Sequence, residues 1–173
     1  AMQAASDHRI FSVVLSGGST DPALYGKLAE PKWRNHDFWE WVHIFFADER
    51  CVPPNDEGSN YKIVSHYLLN HISIPAKNIH RMRGEENPKE ESLRYSKDIQ
   101  NHLKARKGKN HFFDWVFLGV GLDGHTASLF PGDDSIDSKK LCEVAQHPKT
   151  GQKRITMTPY AINKSSRITY HVV

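Results

Sequence analysis

A glycine-rich segment at residues 119–131 carries the side chains best suited to chemistry. Asp123 and His125 stand close together in it, directly after the apolar residues 115–118. Glycine permits sharp turns and a close backbone approach to a ligand, so this segment could present an acid and an imidazole at the end of a buried strand. Histidine suits general base catalysis near neutral pH, and Asp123 could orient it. The alternative is a purely structural histidine.

A second polar cluster follows another apolar run. Gly17 and Gly18 stand beside Ser19 and Thr20, just ahead of a helical pattern. Backbone N–H groups, hydroxyls and the positive end of a helix together attract an anion, which predicts a phosphate cradle. A plain turn between strand and helix is the alternative. This cluster has neither a Walker A spacing nor a complete G-x-G-x-x-G, so it gives no support for a nucleotide site.

The third cluster is Asp48-Glu49-Arg50, which follows the apolar residues 41–47. Arg50 could hold a phosphate or a developing negative charge, and Asp48 could orient water or a sugar hydroxyl. A surface ion pair is the alternative. The histidines show no metal-ligand spacing and no G-x-S-x-G elbow occurs, so neither a metal nor an activated serine is predicted. Together the clusters suggest attack by water on a small phosphorylated ester or lactone.

Strands and helices must alternate to place these clusters. The predicted strands are short apolar runs at residues 10–15, 41–47, 112–118, 154–158 and 167–173. Helical patterns begin at Pro22, Asn60, Asn87-Pro88 and Pro159, whereas residues 132–153 are predicted to be mostly loop. Thr20 or Asp21 is the predicted cap of the first helix and Ser59 or Asn60 that of the second, and the third is predicted to end near Gly108. This order predicts an α/β fold in three layers, a largely parallel sheet with helices on both faces. Ligands of such sheets bind at the carboxyl ends of the strands, where all three clusters lie.

Composition restricts the class of protein. The length of 173 residues fits one domain, and a net charge of +3 gives no indication of a nucleic-acid partner. Two cysteines cannot form a disulfide framework, and no apolar run is long enough to span a bilayer. We therefore expect a cytoplasmic protein without a membrane partner, present as a monomer or a weak homo-oligomer.

Taken together, the three clusters and Ser59-Asn60-Tyr61 resemble the 6-phosphogluconolactonase family in order and spacing. The resemblance covers nearly the whole chain. It implies a single lactonase domain over residues 1–173, with the modified Rossmann fold shared by glucosamine-6-phosphate deaminase and ribose-5-phosphate isomerase. It also implies hydrolysis of 6-phosphoglucono-1,5-lactone to 6-phosphogluconate in the oxidative pentose phosphate pathway, without a cofactor or a metal.

The resemblance assigns roles to residues. His125, beside Asp123, would take a proton from the attacking water, and Arg50 with Asp48 beside it would hold the phosphate or the oxyanion. The 6-phosphate would lie against Gly17, Gly18, Ser19 and Thr20, with Arg154 as a second cation. Compared with the family pattern, the chain is expected to be truncated at both ends, lacking most of a first helix and a final strand and helix that include a lysine used near the phosphate.

Two other functions stay open at this stage. The deaminase shares the fold and the Asp-Gly-His sequence, but its loop places a glutamate five positions after the histidine, where this chain has Phe130. Its strand-end motif also reads Asp-Glu-Tyr, whereas this chain has Arg50 in the third position. Both differences favour the lactonase. The other alternative is a sugar-phosphate-binding module without catalytic activity.

Overall fold

The structure, a computed structural model, describes residues 1–17, 22–105 and 111–172. Its helices are α1 (Met2–Ser6), α2 (Pro22–Leu28), α3 (Pro31–Arg34), α4 (Asn60–Tyr67), α5 (Pro88–Ala105) and α6 (Pro159–Ile162). Its strands are β1 (Phe11–Leu15), β2 (Val42–Phe46), β3 (Asp48–Arg50), β4 (Ile79–His80), β5 (Trp115–Gly119), β6 (Cys142–Gln146), β7 (Lys153–Met157) and β8 (Ile168–His171). Short 3-10 segments occur at Asp37–Trp41, Leu69–His71, Ala76–Asn78 and Asp134–Ile136.

In the described part of the chain, five strands form a parallel sheet in the order β4-β2-β1-β5-β8. Successive side chains of a strand point to opposite faces, so Val13 and Leu15 of β1 enter one apolar cluster while Val14 enters the other. Helices α2 and α4 contribute to the first cluster, and α5 contributes to the second. The predicted parallel sheet with helices on both faces is confirmed.

A second sheet was not predicted. Strands β3, β7 and β6 pair antiparallel in the order β3-β7-β6. The prediction that residues 132–153 are mostly loop is therefore wrong at β6, Cys142–Gln146. Only Cys142 and Ala145 are buried in β6, so its apolar pattern is weak, and the ladder to β7 supplies what the local sequence lacks.

Local sequence signals explain where the helices begin. Ser59 caps α4, its Oγ accepting a hydrogen bond from the Lys62 N–H at 3.2 Å, as predicted for this position. Pro22 begins α2, and the predicted capping residues Thr20 and Asp21 lie outside the described residues. The predicted end of α5 near Gly108 also lies outside them. None of the helices in the described ranges has the length and apolar character needed to cross a membrane.

Candidate active site

A cleft of about 270 Å³ lies where the carboxyl end of the parallel sheet meets the second sheet. Its lining comes from four separate parts of the chain and comprises Ser16, Gly17, Asp48, Arg50, Gly119, Val120, Gly121, His125, Ala127 and Arg154. Side chains predicted from three strand ends thus share one cavity. The parallel order of β2, β1 and β5 explains this, because it brings the ends of these strands to one edge.

A larger groove, of about 890 Å³, lies between α5 and β6. Leu93, Phe112, Val144 and Tyr160 contribute apolar surface to it, and the described residues that line it include neither a histidine nor an arginine. Volume alone does not identify a reactive site. The smaller cleft is the candidate active site because an imidazole, an acid and two guanidinium groups meet there.

The glycine-rich loop after β5 holds His125 at the rim of the cleft. The imidazole Nδ1 lies 2.5 Å from Asp123 Oδ1, and this hydrogen bond lowers the pKa of the Asp123 carboxyl below its ordinary value. The loop closes through a bond from the Gly121 N–H to the His125 carbonyl at 2.8 Å, and Gly124 adopts a φ of 86°. A Cβ at residue 121 would lie 2.3 Å from His125 Nδ1 and Cε1, so glycine is required beside the ring.

Asp48 is buried and both of its carboxylate oxygens accept hydrogen bonds. Asn60 Nδ2 donates to Oδ1 at 2.9 Å, and Ser128 Oγ donates to Oδ2 at 2.6 Å. Ser128 is itself fully buried and belongs to the loop that carries His125. Asp48 therefore fastens that loop and the start of α4 to β3, which indicates a positioning role for this carboxylate.

Glu49 joins the same strand to α4. Its carboxylate accepts hydrogen bonds from the backbone N–H groups of Asn60 and Tyr61, at 2.7 and 2.8 Å, and from Ser59 Oγ at 3.1 Å. Burial raises the pKa of Glu49 above its ordinary value, and the nearby Asp48 charge adds to this rise, although the backbone donors oppose it. Glu49 thereby provides hydrogen-bond acceptors for the first N–H groups of α4 and fixes the position of this helix relative to β3.

Arg50 and Arg154 face each other across the β3–β7 ladder. Arg50 donates to the Gly58 carbonyl at 2.7 Å, and Arg154 lies 3.4 Å from Ser128 Oγ. The Nε atoms of both arginines are buried and have no hydrogen-bond partner among the described residues. Burial, followed by the charge of Arg50, lowers the pKa of Arg154. Two adjacent guanidinium groups that line one cleft are suited to binding an anion.

Comparison with known proteins places this arrangement in a family. All 173 positions, residues 1–173, match the family model described as glucosamine-6-phosphate isomerases/6-phosphogluconolactonase. The chain belongs to this family. A 6-phosphogluconolactonase from Haemophilus influenzae is 43% identical over 160 residues, which cover 92% of this chain and 67% of that protein. A 6-phosphogluconolactonase from Treponema pallidum is 39% identical, over 92% of this chain and 66% of that protein.

Solved structures of related proteins have the same fold. A crystal structure of devB protein, 41% identical, superposes with a TM-score of 0.87 and covers 95% of this chain and 68% of that one. The 6-phosphogluconolactonase of Thermotoga maritima, 28% identical, superposes with a TM-score of 0.83 over 98% of this chain and 73% of that one. The predicted lactonase-type α/β fold is therefore confirmed.

Within the family fold, most of the predicted site residues meet in the cleft. Gly17, Arg50, His125 and Arg154 line it, together with Asp48. Asp123 is not among the lining residues but contacts His125 from behind. The predicted phosphate-cradle residues Gly18, Ser19 and Thr20 lie outside the described residues.

Phe130 stands five positions after His125, where a glutamate was expected of a deaminase. Its ring is buried, with its centroid 5.0 Å from that of His125 and 5.7 Å from the Arg154 Cζ atom. Phe130 therefore packs against both groups and offers no proton to either. The geometry favours the lactonase over the deaminase.

Sequence reasoning assigned no role in the site to the residues that hold it together, which are Glu49, Asn60 and Ser128. Glu49 and Asn60 belong to the quoted motifs and Ser128 to the glycine-rich segment, but their hydrogen-bond partners are distant in the chain. A buried polar side chain requires hydrogen-bond partners, and only the folded structure shows which ones are near. Asn60 also explains why residue 17 is a glycine, because a Cβ at that position would lie 2.0 Å from Asn60 Oδ1.

Proposed function

We propose that this chain hydrolyses 6-phosphoglucono-1,5-lactone to 6-phosphogluconate, with His125 as the general base that activates water. The chain spans about two thirds of the length of the H. influenzae relative, and that relative is named for this activity. The observation that carries the proposal is the His125–Asp123 pair, which shares one cleft with two adjacent arginines.

The hydrogen bond between Nδ1 and Asp123 determines how the imidazole would act. With Nδ1–H donating to Asp123, Nε2 is the proton acceptor. In the proposed first step, Nε2 takes a proton from water while the water oxygen forms a bond to the lactone carbonyl carbon C1. The carbonyl oxygen becomes an oxyanion, and Asp123 stabilises the imidazolium that results.

The tetrahedral intermediate then opens the ring. The bond from C1 to the ring oxygen breaks, and the imidazolium returns its proton to that oxygen, so His125 ends the cycle neutral. The product is a carboxylic acid with a free hydroxyl, and the acid loses its proton to solvent. In this scheme Arg50 and Arg154 hold the two negative charges, the developing oxyanion and the substrate phosphate, and the position of both side chains in the cleft lining supports that assignment.

The test compares His125→Gln with His66→Gln, since His66 is an exposed histidine on α4, away from the cleft. Lactone generated in situ is followed by acid release, and the spontaneous opening rate is subtracted. Loss of a positioned general base lowers the rate by about 10²–10⁴-fold, whereas His66→Gln is expected to match the unchanged protein. Equal catalytic rates in the two variants would show that His125 is not the base.

The same preparation discriminates the other functions. Ammonia release from glucosamine 6-phosphate would instead support the deaminase. Binding of the sugar phosphate without turnover of either substrate would support a non-catalytic binding module. Phe130 beside His125 argues against the deaminase, because the expected acid/base glutamate is replaced by a side chain that cannot carry a proton.

A further inference from the structure

A cluster of imidazoles lies apart from the candidate active site, between the edge of the parallel sheet and α5. His43 is the second residue of β2, His80 ends β4 and His102 lies in the last turns of α5. One ring nitrogen of each lies within 4.8 Å of those of the other two. None of the three lines the cleft, so this cluster plays no part in the chemistry proposed above.

We propose that His43, His80 and His102 bind a divalent transition metal ion of the zinc class. Neutral imidazole nitrogen is a preferred ligand of such ions, and three histidines with water in the fourth position form a common tetrahedral set. His43 Nδ1 and His80 Nε2 share a hydrogen bond at 3.0 Å, and a bound ion would replace the proton between them, which would pass to solvent. Two nitrogens bound to one tetrahedral Zn²⁺ at about 2.0–2.1 Å stand about 3.3 Å apart, so this pair already has the required spacing.

The third ligand requires only a small adjustment. The greatest separation within the cluster is at most 4.8 Å, so side-chain rotations must shorten it by about 1.5 Å to reach the spacing of a tetrahedral ion. His102 is buried, and its ring centroid lies 4.9 Å from that of His43. The site is therefore nearly assembled before any ion binds.

The surroundings of His80 match those of a metal-bound histidine. Its Nδ1 lies 3.1 Å from Asp98 Oδ1, so the carboxylate favours the tautomer in which Nε2 carries no proton, the form that a metal requires. Its ring stacks on Phe45 with centroids 4.1 Å apart and planes 3° apart, which holds the imidazole plane in place. Arg94, the cation that also contacts Asp98, is paired with Glu91 at 2.6 Å and 2.7 Å, which offsets its charge.

The role expected of this ion is structural. Strand β4 has only two residues and lies at the edge of the sheet. An ion held by one ligand from β2, one from β4 and one from α5 would tie this edge strand to the sheet and to the helix that covers it. Binding to the folded state alone would raise the melting temperature as the ion concentration increases.

The experiment titrates the purified, metal-free protein with Co²⁺ and Zn²⁺. We expect one ion per chain, a visible Co²⁺ ligand-field spectrum typical of tetrahedral nitrogen coordination, and an increased melting temperature with Zn²⁺. His80→Gln and His43→Gln should each weaken binding by more than about 100-fold, and Asp98→Asn by about 10-fold. His125→Gln is the matched control, because it removes a histidine of the cleft and leaves the cluster intact.

Two outcomes would overturn the proposal. The first is an unchanged protein that shows no Co²⁺ spectrum and no Zn²⁺ uptake at micromolar concentrations, which would leave a hydrogen-bonded imidazole cluster without an ion. The second is binding that His125→Gln removes and His43→Gln retains, which would place the ion in the cleft. His43 and His80 are both half-buried and lie on different strands, so either variant keeps the test valid if the other does not fold.

Discussion

Ser128 is the point at which the loop that carries His125 is fastened to the second sheet. Its Oγ donates to Asp48 Oδ2 at 2.6 Å and its backbone N–H donates to Thr156 Oγ1 at 3.2 Å. The substitution Ser128→Ala removes the first bond and leaves the second. Alanine fills the position without overpacking, so the effect reports the lost hydroxyl rather than a distorted core.

The size of the effect follows from the charge and burial of Asp48. A hydrogen bond to a charged group contributes about 1.5–3 kcal/mol, and here the acceptor is a buried carboxylate. Asp48 keeps its bond from Asn60 Nδ2 at 2.9 Å, and the contact between Ser128 and Arg154 is long, at 3.4 Å. We therefore expect a loss of about 2 kcal/mol in the free energy of unfolding, or a melting temperature about 4–8 °C lower.

Urea unfolding measures this loss, with Ser73→Ala as the control. Ser73 is exposed and donates to Asn35 Oδ1 at 3.2 Å, so its removal should change stability by less than about 0.5 kcal/mol. The cycle of Ser128→Ala with Asp48→Asn should give a coupling energy of about 1 kcal/mol or more. Equal stabilities of Ser128→Ala and Ser73→Ala, or no coupling to Asp48, would refute the reasoning.

Three further predictions concern the cleft and the core. Gly121→Ala should lower kcat/KM by about 100-fold with little loss of folded protein, because the new Cβ must displace the His125 ring. Activity assays measure the first effect and circular dichroism the second, and full activity would contradict the prediction. Arg154→Met should weaken inhibition by inorganic phosphate by about 10-fold or more. The free energy of unfolding should stay the same or rise, since burial of the guanidinium charge is costly. Unchanged inhibition would place the phosphate elsewhere. Burial raises the pKa of Cys142 to about 12 and that of Cys51 to about 11, so both thiols of the native protein should resist alkylation at pH 8. Mass spectrometry of samples alkylated with and without denaturant measures this. Rapid labelling of the native protein would contradict the prediction.

Much of the fold could be predicted because its signals are local. The apolar run that forms β1, the Ser59 cap of α4 and the proline at the start of α6 depend on neighbouring residues, and the structure has each of them. Strand β6 could not be predicted, since its stability depends on pairing with β7 and its own apolar residues are few.

Some residues of the candidate site could likewise be predicted from local sequence, whereas other clusters depend on the fold. His125 and Asp123 could be recognised from a single loop, because glycine spacing is a local property that brings the acid to the imidazole. The histidines of the proposed metal site, His43, His80 and His102, are distant in the sequence and come together only in the fold, from two strands and a helix. Ligand spacing along the chain finds only those sites whose ligands belong to one or two adjacent elements.

The sequence by itself determined which residues could carry out the chemistry and that strands would alternate with helices. Both follow from side-chain type and short-range spacing, and they were sufficient to suggest attack by water on a small phosphorylated ester or lactone. Only the tertiary structure decided that Arg50 would lie opposite Arg154, and that Asp48 would be held by Asn60 and Ser128. Such contacts depend on strand order and on the burial of polar groups, which join residues that are distant in the chain.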